Sequence, residues 1–274
     1  MRRAFSSFCL LVVVLAPLSG CQKMRARVEL KKGNELYKEE VYREAMAQFQ
    51  KGLELDPAAT FAWRSVGLSA MAVYRPGAKS ADNDKYAQIA IDAFKKYLDD
   101  YPRDDKVQEY LMTMLINSER YDDALTMMKA ELAKTPNKPG LGQGIVSTLA
   151  KAGRLDEAYD WALKQGGTPD PTLFYSIGVA CWDKAYYDPM LDAAARGKVV
   201  DTGLAATKRA LDMKPDYFEA MAYYNLLFRE KAKLELDPAK AAEWTAQAEA
   251  WTKKAIALRE AQKAKDAAAP KKAS

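Results

Sequence analysis

The side chains that could do chemistry in this chain are three cysteines (Cys9, Cys21, Cys181), a few paired carboxylates and one glycine-rich run; histidine is absent. Without histidine the chain lacks the commonest general base, the commonest metal ligand and every Ser-His or Cys-His nucleophile pair. The carboxylate pairs Asp99-Asp100, Asp104-Asp105 and Asp122-Asp123 fall at turns or expected helix starts, where acids cap free amides and complement the helix dipole. A glycosidase needs two carboxylates converging on one cleft, and nothing in their spacing suggests convergence. The run Gly140-Leu141-Gly142-Gln143-Gly144 follows no strand and lacks the Lys-Ser/Thr of a phosphate loop. It reads instead as the loosened start of a helix, with Gly144 costing about 1 kcal/mol relative to Ala. The expectation is a protein that is not an enzyme and that needs no cofactor and no metal.

The cysteines carry more information. Arg2 and Arg3 precede an apolar stretch from Phe8 to Leu18 that contains Cys9; a charged head, short apolar core and small residues describe a secretory signal peptide. The core is about half the ~20 apolar residues of a spanning helix. The segment ends Leu18-Ser19-Gly20-Cys21, which resembles the lipobox of bacterial lipoproteins. That resemblance implies removal of residues 1–20, a diacylglycerol on the Cys21 sulfur and a further acyl chain (palmitate) on the new amino terminus. Residues 21–25 would then be a lipidated end and short linker. In that family Asp after the lipidated Cys marks inner-membrane retention, so Gln22 implies the outer membrane, facing the periplasm. The alternative is an ordinary signal with an accidental Cys. Two or three acyl chains, at about 0.8 kcal/mol per buried methylene, hold durably where one holds marginally. Only Cys181 remains for the mature fold, which excludes an internal disulfide and favours a buried thiol.

Removing residues 1–20 leaves 254 residues with a formal charge of +3, enough for one elongated domain or two small ones. The balance is too even for a nucleic-acid reader, and no such motif occurs.

A proline recurs along the chain at Pro57, Pro102, Pro136, Pro169/Pro171 and Pro215, in steps of 34 residues or of about 45. Small and large residues recur with it: Gly33, Ala45, Phe49, Gly52 before Pro57, then Trp63, Gly67, Ala90, Phe94 before Pro102. Leu111, Leu115 and Ala124 mark a third copy, Ile145, Leu149 and Ala158 a fourth, Ile177, Gly178 and Ala210 a fifth. A sixth, irregular one runs from near Phe218 to Ala255. The order resembles the tetratricopeptide repeat, Trp, Leu-Gly, Tyr, Ala, Phe, Ala, Pro. The resemblance implies an all-α fold, a right-handed superhelical solenoid of five to six helical hairpins over residues 26–260. In such a fold small residues let paired helices approach, and stacking neighbours buries what one repeat cannot. Strand-type alternation is missing outside the signal.

Three stretches depart from the pattern, near 75–85, 186–198 and 234–240. Lengthened turns of a solenoid gather on one edge and often serve partner contact, or are tolerated surface loops. The Ala/Lys-rich tail, 261–274, is expected to extend the last helix and then fray.

In this family the first helix of each pair lines the inner wall. Transferred here, the lining is Lys31, Asn34, Phe61, Arg64, Leu68, Met71, Lys106, Tyr110 and Thr113. It continues with Gln143, Ser147, Tyr175, Val179, Trp182, Tyr223, Leu226 and Arg229, of which Val179 and Leu226 are expected to pack internally. The partner-binding set is Asn34, Arg64, Lys106, Tyr110, Tyr175, Trp182 and Tyr223, types that dominate protein contact energy. Of the carboxylate clamp some relatives carry, Asn34 and Lys106 match while Ser65 and Tyr110 do not. An extended peptide or a partner's helix suits the groove better. The resemblances together imply a membrane-tethered protein-binding scaffold or adaptor in outer-membrane, pilus or cell-wall assembly. The alternative is a lipoprotein that holds a glycan or cell-wall polymer.

Overall fold

The computed structural model describes residues 16–136, 138–165 and 170–268, and among these every regular element is an α-helix. The charged head and most of the apolar core of the expected signal, Pro169, and residues 269–274 of the tail lie outside the described residues. Twelve helices follow in order: α1 (Ala16–Lys38), α2 (Tyr42–Leu55), α3 (Ala62–Val73), α4 (Ala81–Asp100), α5 (Asp105–Asn117) and α6 (Tyr121–Lys134). Then come α7 (Leu141–Lys151), α8 (Leu155–Leu163), α9 (Pro171–Tyr187), α10 (Ala193–Met213), α11 (Phe218–Leu234) and α12 (Pro238–Ala268).

Local chemistry sets the ends. Ser80, Asp104, Asp170 and Asp192 each accept a backbone N–H two or three residues on, at 2.7–3.2 Å, which satisfies a donor left over at a helix start. Pro171 occupies the first turn of α9, where its missing N–H costs nothing. Pro57, Pro102, Pro136 and Pro215 each stand two residues beyond the end of α2, α4, α6 and α10.

Contacts divide the chain into two compact units, one ending at Ala124 and the other beginning at Leu125, inside α6. In the first, α1 packs on α2, α2 on α3, α3 on α4 and α4 on α5. In the second, α9 packs on α10 and α11 on α12, while α9 also touches α7 and α11, and α8 touches α10. Odd helices thus stand beside odd helices and even beside even, two layers within that unit.

The hairpins close where the sequence places a small residue. A Cβ built on Gly33 would stand 2.8 Å from the Phe49 ring, and one on Gly67 2.4 Å from the Phe94 ring. In α9, one on Gly178 would meet Thr207 at 2.2 Å. Ala45, Ala90, Ala124 and Ala158 are fully buried at one register position, and Gly203 takes that place in the fifth hairpin. Five residues before Ala45, Ala124 and Ala158 the backbone turns left-handed, at Glu40 (φ 62°), Glu119 (φ 61°) and Gly153 (φ 72°). The same turn recurs in three hairpins although only one copy carries the glycine that the conformation favours.

The expected insertions resolve into longer helices with short turns. Residues 75–85 are a turn to Ser80 followed by the start of a 20-residue α4, and 186–198 are a turn at 188–192 followed by α10. Asn83 ties the first turn down, accepting from Arg75 N and donating to the Arg75 and Ala78 carbonyls at 2.8–2.9 Å. The expected linker at 21–25 is helical, part of α1, because the run from Cys21 to Lys32 contains neither Gly nor Pro. Ala26, within α1, is 1% exposed.

Candidate functional site

In the unit from Leu125 onward, α9 and α11 lie side by side and bring three of the expected binding residues together. Tyr175 and Trp182 of α9 both meet Tyr223 of α11 edge-on, at ring-centroid separations of 5.7 and 5.6 Å. Residues the lining offsets did not pick complete the cluster. Tyr217, just before α11, lies 5.0 Å from Tyr175. Tyr186 stacks on Trp182 at 5.0 Å and 19°, and Tyr187 meets both edge-on. Tyr186 and Tyr187 are 51% and 68% exposed. The signal that would have found Tyr186 is its place one helical turn after Trp182, on the same face. Aromatic pairs of this geometry contribute about 0.5–1.5 kcal/mol beyond their buried area. The result is a strip of six rings, half-buried at one end and solvent-facing at the other. Burial first, then neighbouring tyrosines, raise the Tyr175 phenol above its ordinary range, and burial does the same for Tyr217.

Two cations lie over rings of the strip, and a third is held in an ion pair on α9. Lys233 of α11 lies over Tyr186 at 5.4 Å, Lys214 over Tyr217 at 4.5 Å, and Lys184 pairs with Asp188 at 2.6 Å. Arg196 holds the α9–α10 turn by donating to the carbonyls of Ala185, Asp188 and Leu191. Gln143 of α7 donates to Ser176 of α9 at 2.8 Å, so it serves the stack and not the strip. Val179 and Leu226 are half-buried.

The unit ending at Ala124 assembles a smaller set. Arg64 of α3 is half-buried, and its charge acts on the phenols of Tyr37 and Tyr97 and on the carboxyl of Asp104. Tyr110 packs on Phe94 at 5.9 Å, and its phenol also bears on that of Tyr37. Lys106 pairs with Glu109 at 2.7 Å and lies over Tyr110 at 5.3 Å. Asn34 is exposed on α1 and joins none of these contacts. Tyr37, which the lining offsets do not include, follows Asn34 by three residues, within one helical turn.

The groups singled out for possible chemistry are held in structural contacts. Asp104 caps α5 and accepts from Tyr97 Oη at 3.0 Å, and Asp123 lies 4.0 Å from Lys95. Gly140 is left-handed (φ 77°) before α7, which runs unbroken through Gly142 and Gly144. Cys181 is wholly buried, its thiol pushed up to about 12 by burial. A concavity of about 730 Å³ lies elsewhere in the first unit, lined by Tyr42, Arg43, Asp82, Asn83 and Tyr86 among others, and none of the expected binding residues reaches it.

The helix pairs, their closure on Gly33, Gly67 and Gly178, and the repeated left-handed turn define the class of fold: tetratricopeptide-type helical hairpins. No protein-family model matches the chain, and no curated protein does. Among solved structures the chain is similar to YrrB, a TPR protein with an unusual peptide-binding site. Identity there is 22% over 70% of this chain and 88% of that one, with a TM-score of 0.38. It is also similar to MamA from Desulfovibrio magneticus RS-1, at 15% identity over 87% of this chain and 97% of that one, with a TM-score of 0.32.

Proposed function

We propose that this chain is a membrane-tethered, protein-binding scaffold of the bacterial cell envelope, anchored by lipid on Cys21 and engaging a partner's extended peptide or helix. The outer membrane, facing the periplasm, is the location that Gln22 favours, and assembly of outer-membrane, pilus or cell-wall machinery is the process. One observation carries the binding half: the aromatic strip on α9 and α11, in which Tyr175, Trp182 and Tyr223 share one surface. Large rings anchored at one end and open at the other are the residue type and setting that dominate contact energy. A glycan is the second reading. The mutual stacking of Trp182 and Tyr186 favours a protein, because ring faces engaged with each other are less free to stack on sugar.

The test is paired. Trp182→Ala, Tyr223→Ala, Arg64→Ala and Tyr110→Ala are made singly, and each is assayed for crosslinked partners recovered from membranes and for Tm. A true anchor loses partners, at a cost above about 1 kcal/mol in binding, while Tm holds. Intact partner recovery with a lowered Tm assigns that residue to packing and removes it from the site. Retention on cell-wall sacculi without a protein partner selects the glycan reading.

A further inference from the structure

The anchor proposed at Cys21 and the folded body share one helix, and this sets which surface faces the membrane. α1 runs without interruption from Ala16 to Lys38, and its packing side is Ala26, Leu30 and Gly33. On the opposite side Cys21, Met24 and Val28 follow at i, i+3 and i+7, which is one helical face; Cys21 is exposed, and Met24 and Val28 are 69% and 64% exposed. Basic residues flank this stripe: Arg25, Arg27, Lys31 and Lys32, all exposed. The single acid among residues 21–32 is Glu29, and it is engaged by Lys51 at 2.6 Å. Lys31 reaches Glu35 at 3.9 Å, while Lys23, Arg25, Arg27 and Lys32 have no acidic partner among the described residues.

We infer that this outer face of α1 lies against an anionic phospholipid surface, with Met24 and Val28 at the headgroup level and Arg25, Arg27, Lys31 and Lys32 beside them. The inference rests on the reading of Cys21 as the lipidated residue. Two physical facts lead to it. A helical Cys21 gives the anchor no slack, so residues on its own face, Arg25, Val28 and Lys32, are held near the bilayer whenever the acyl chains are inserted. And a short apolar stripe bordered by lysine and arginine is the pattern that binds anionic interfaces, by apolar burial and by attraction to negative headgroups. The anchor therefore orients the body as well as retaining it.

The lipidated chain, extracted from membranes and reconstituted into phosphatidylethanolamine vesicles with or without phosphatidylglycerol, provides the test. Met24→Cys and Val28→Cys variants take an environment-sensitive dye selectively, because Cys21 is acylated and Cys181 is buried. Ala47→Cys, on the exposed side of α2, is the aqueous reference. Blue-shifted emission at 24 and 28 in phosphatidylglycerol vesicles, reversed when Arg25, Arg27, Lys31 and Lys32 become Glu, supports the inference. Emission at 24 and 28 as aqueous as at 47 in those vesicles, with Cys21 acylation established by mass, overturns it and leaves the anchor standing. A mass showing unmodified Cys21 overturns the anchor instead. In that case co-sedimentation of the same chain with phosphatidylglycerol vesicles decides the α1 surface: pelleting supports it, and recovery wholly in the supernatant overturns it.

Discussion

At the scale of single residues, charge is spent on local order. Asp156 of α8 pairs with Lys198 of α10 at 2.7 Å and accepts from the Thr202 hydroxyl. The lysine first, then the hydroxyl, hold its carboxyl below the ordinary carboxylate range. A depressed folded value means that the ionised form favours the fold. The contribution is present above the unfolded value of about 3.9 and is lost as pH falls through the folded one. Asp156 and Lys198 are 45% and 74% exposed, so the contribution stays below about 1 kcal/mol. In a Tm series against pH, Asp156→Asn is expected to melt lower than wild type at neutral pH and to converge with it at the acid end. Parallel curves would show that the pair contributes nothing. Cys181 was legible as buried from composition alone. Its neighbour was not: a Cβ on Gly203 would stand 2.7 Å from Cys181 Cβ, a fit set by how closely α9 and α10 approach.

At the scale of elements, hairpin closure depends on missing side chains. Gly67 has no room for a methyl against Phe94, so Gly67→Ala forces the ring or the helices to shift, at about 1–3 kcal/mol. Gly77 is the useful contrast. A Cβ there would meet nothing within 4 Å, and its φ of 80° makes Gly77→Ala a backbone penalty alone, without overpacking. Thermal melts of the two variants, each with its Phe94→Leu partner, separate these causes. Relief by Phe94→Leu is expected for Gly67→Ala and not for Gly77→Ala. The helix-pair spacing was readable from Gly33, Ala45 and Phe49, since small and large residues alternate in register. Arg75-Pro76-Gly77 and Tyr186-Tyr187-Asp188-Pro189 carry turn residues, which signal lengthened turns. The turns end at Ser80 in the first stretch and occupy 188–192 in the second; Tyr186 and Tyr187 close α9, and the rest continue as α4 and α10, whose apolar residues find a neighbouring helix to bury against.

At the scale of the whole molecule, attachment is the property most open to a direct test. Among the described residues no helix is long and apolar enough to cross a membrane. With Cys21→Ser, metabolic fatty-acid label is expected to disappear from the protein, and the body is expected to move from the membrane to the soluble fraction. Equal labelling of wild type and variant would sink the anchor. The test is independent of the aromatic strip, because Cys21 and the strip belong to different units of the chain.

Sequence alone determined what this chain lacks and how it repeats. Absent histidine, a single cysteine after the lipobox-like run, and glycine, alanine and proline in register are properties of the residue string, and they exclude chemistries and specify helix pairs without reference to three dimensions. The left-handed turn at Glu40 and Glu119 was not legible, since glutamate carries no signal for it; the closed hairpin imposes that conformation. The aromatic strip was half legible. Lining offsets reached Tyr175, Trp182 and Tyr223, and Tyr186 and Tyr187 follow Trp182 within the same helix, but Tyr217 and Tyr223 meet the α9 rings only because α9 and α11 pack side by side. Ring contacts between helices more than 30 residues apart depend on which helices touch, and the periodicity of one helix contains no information about its neighbour.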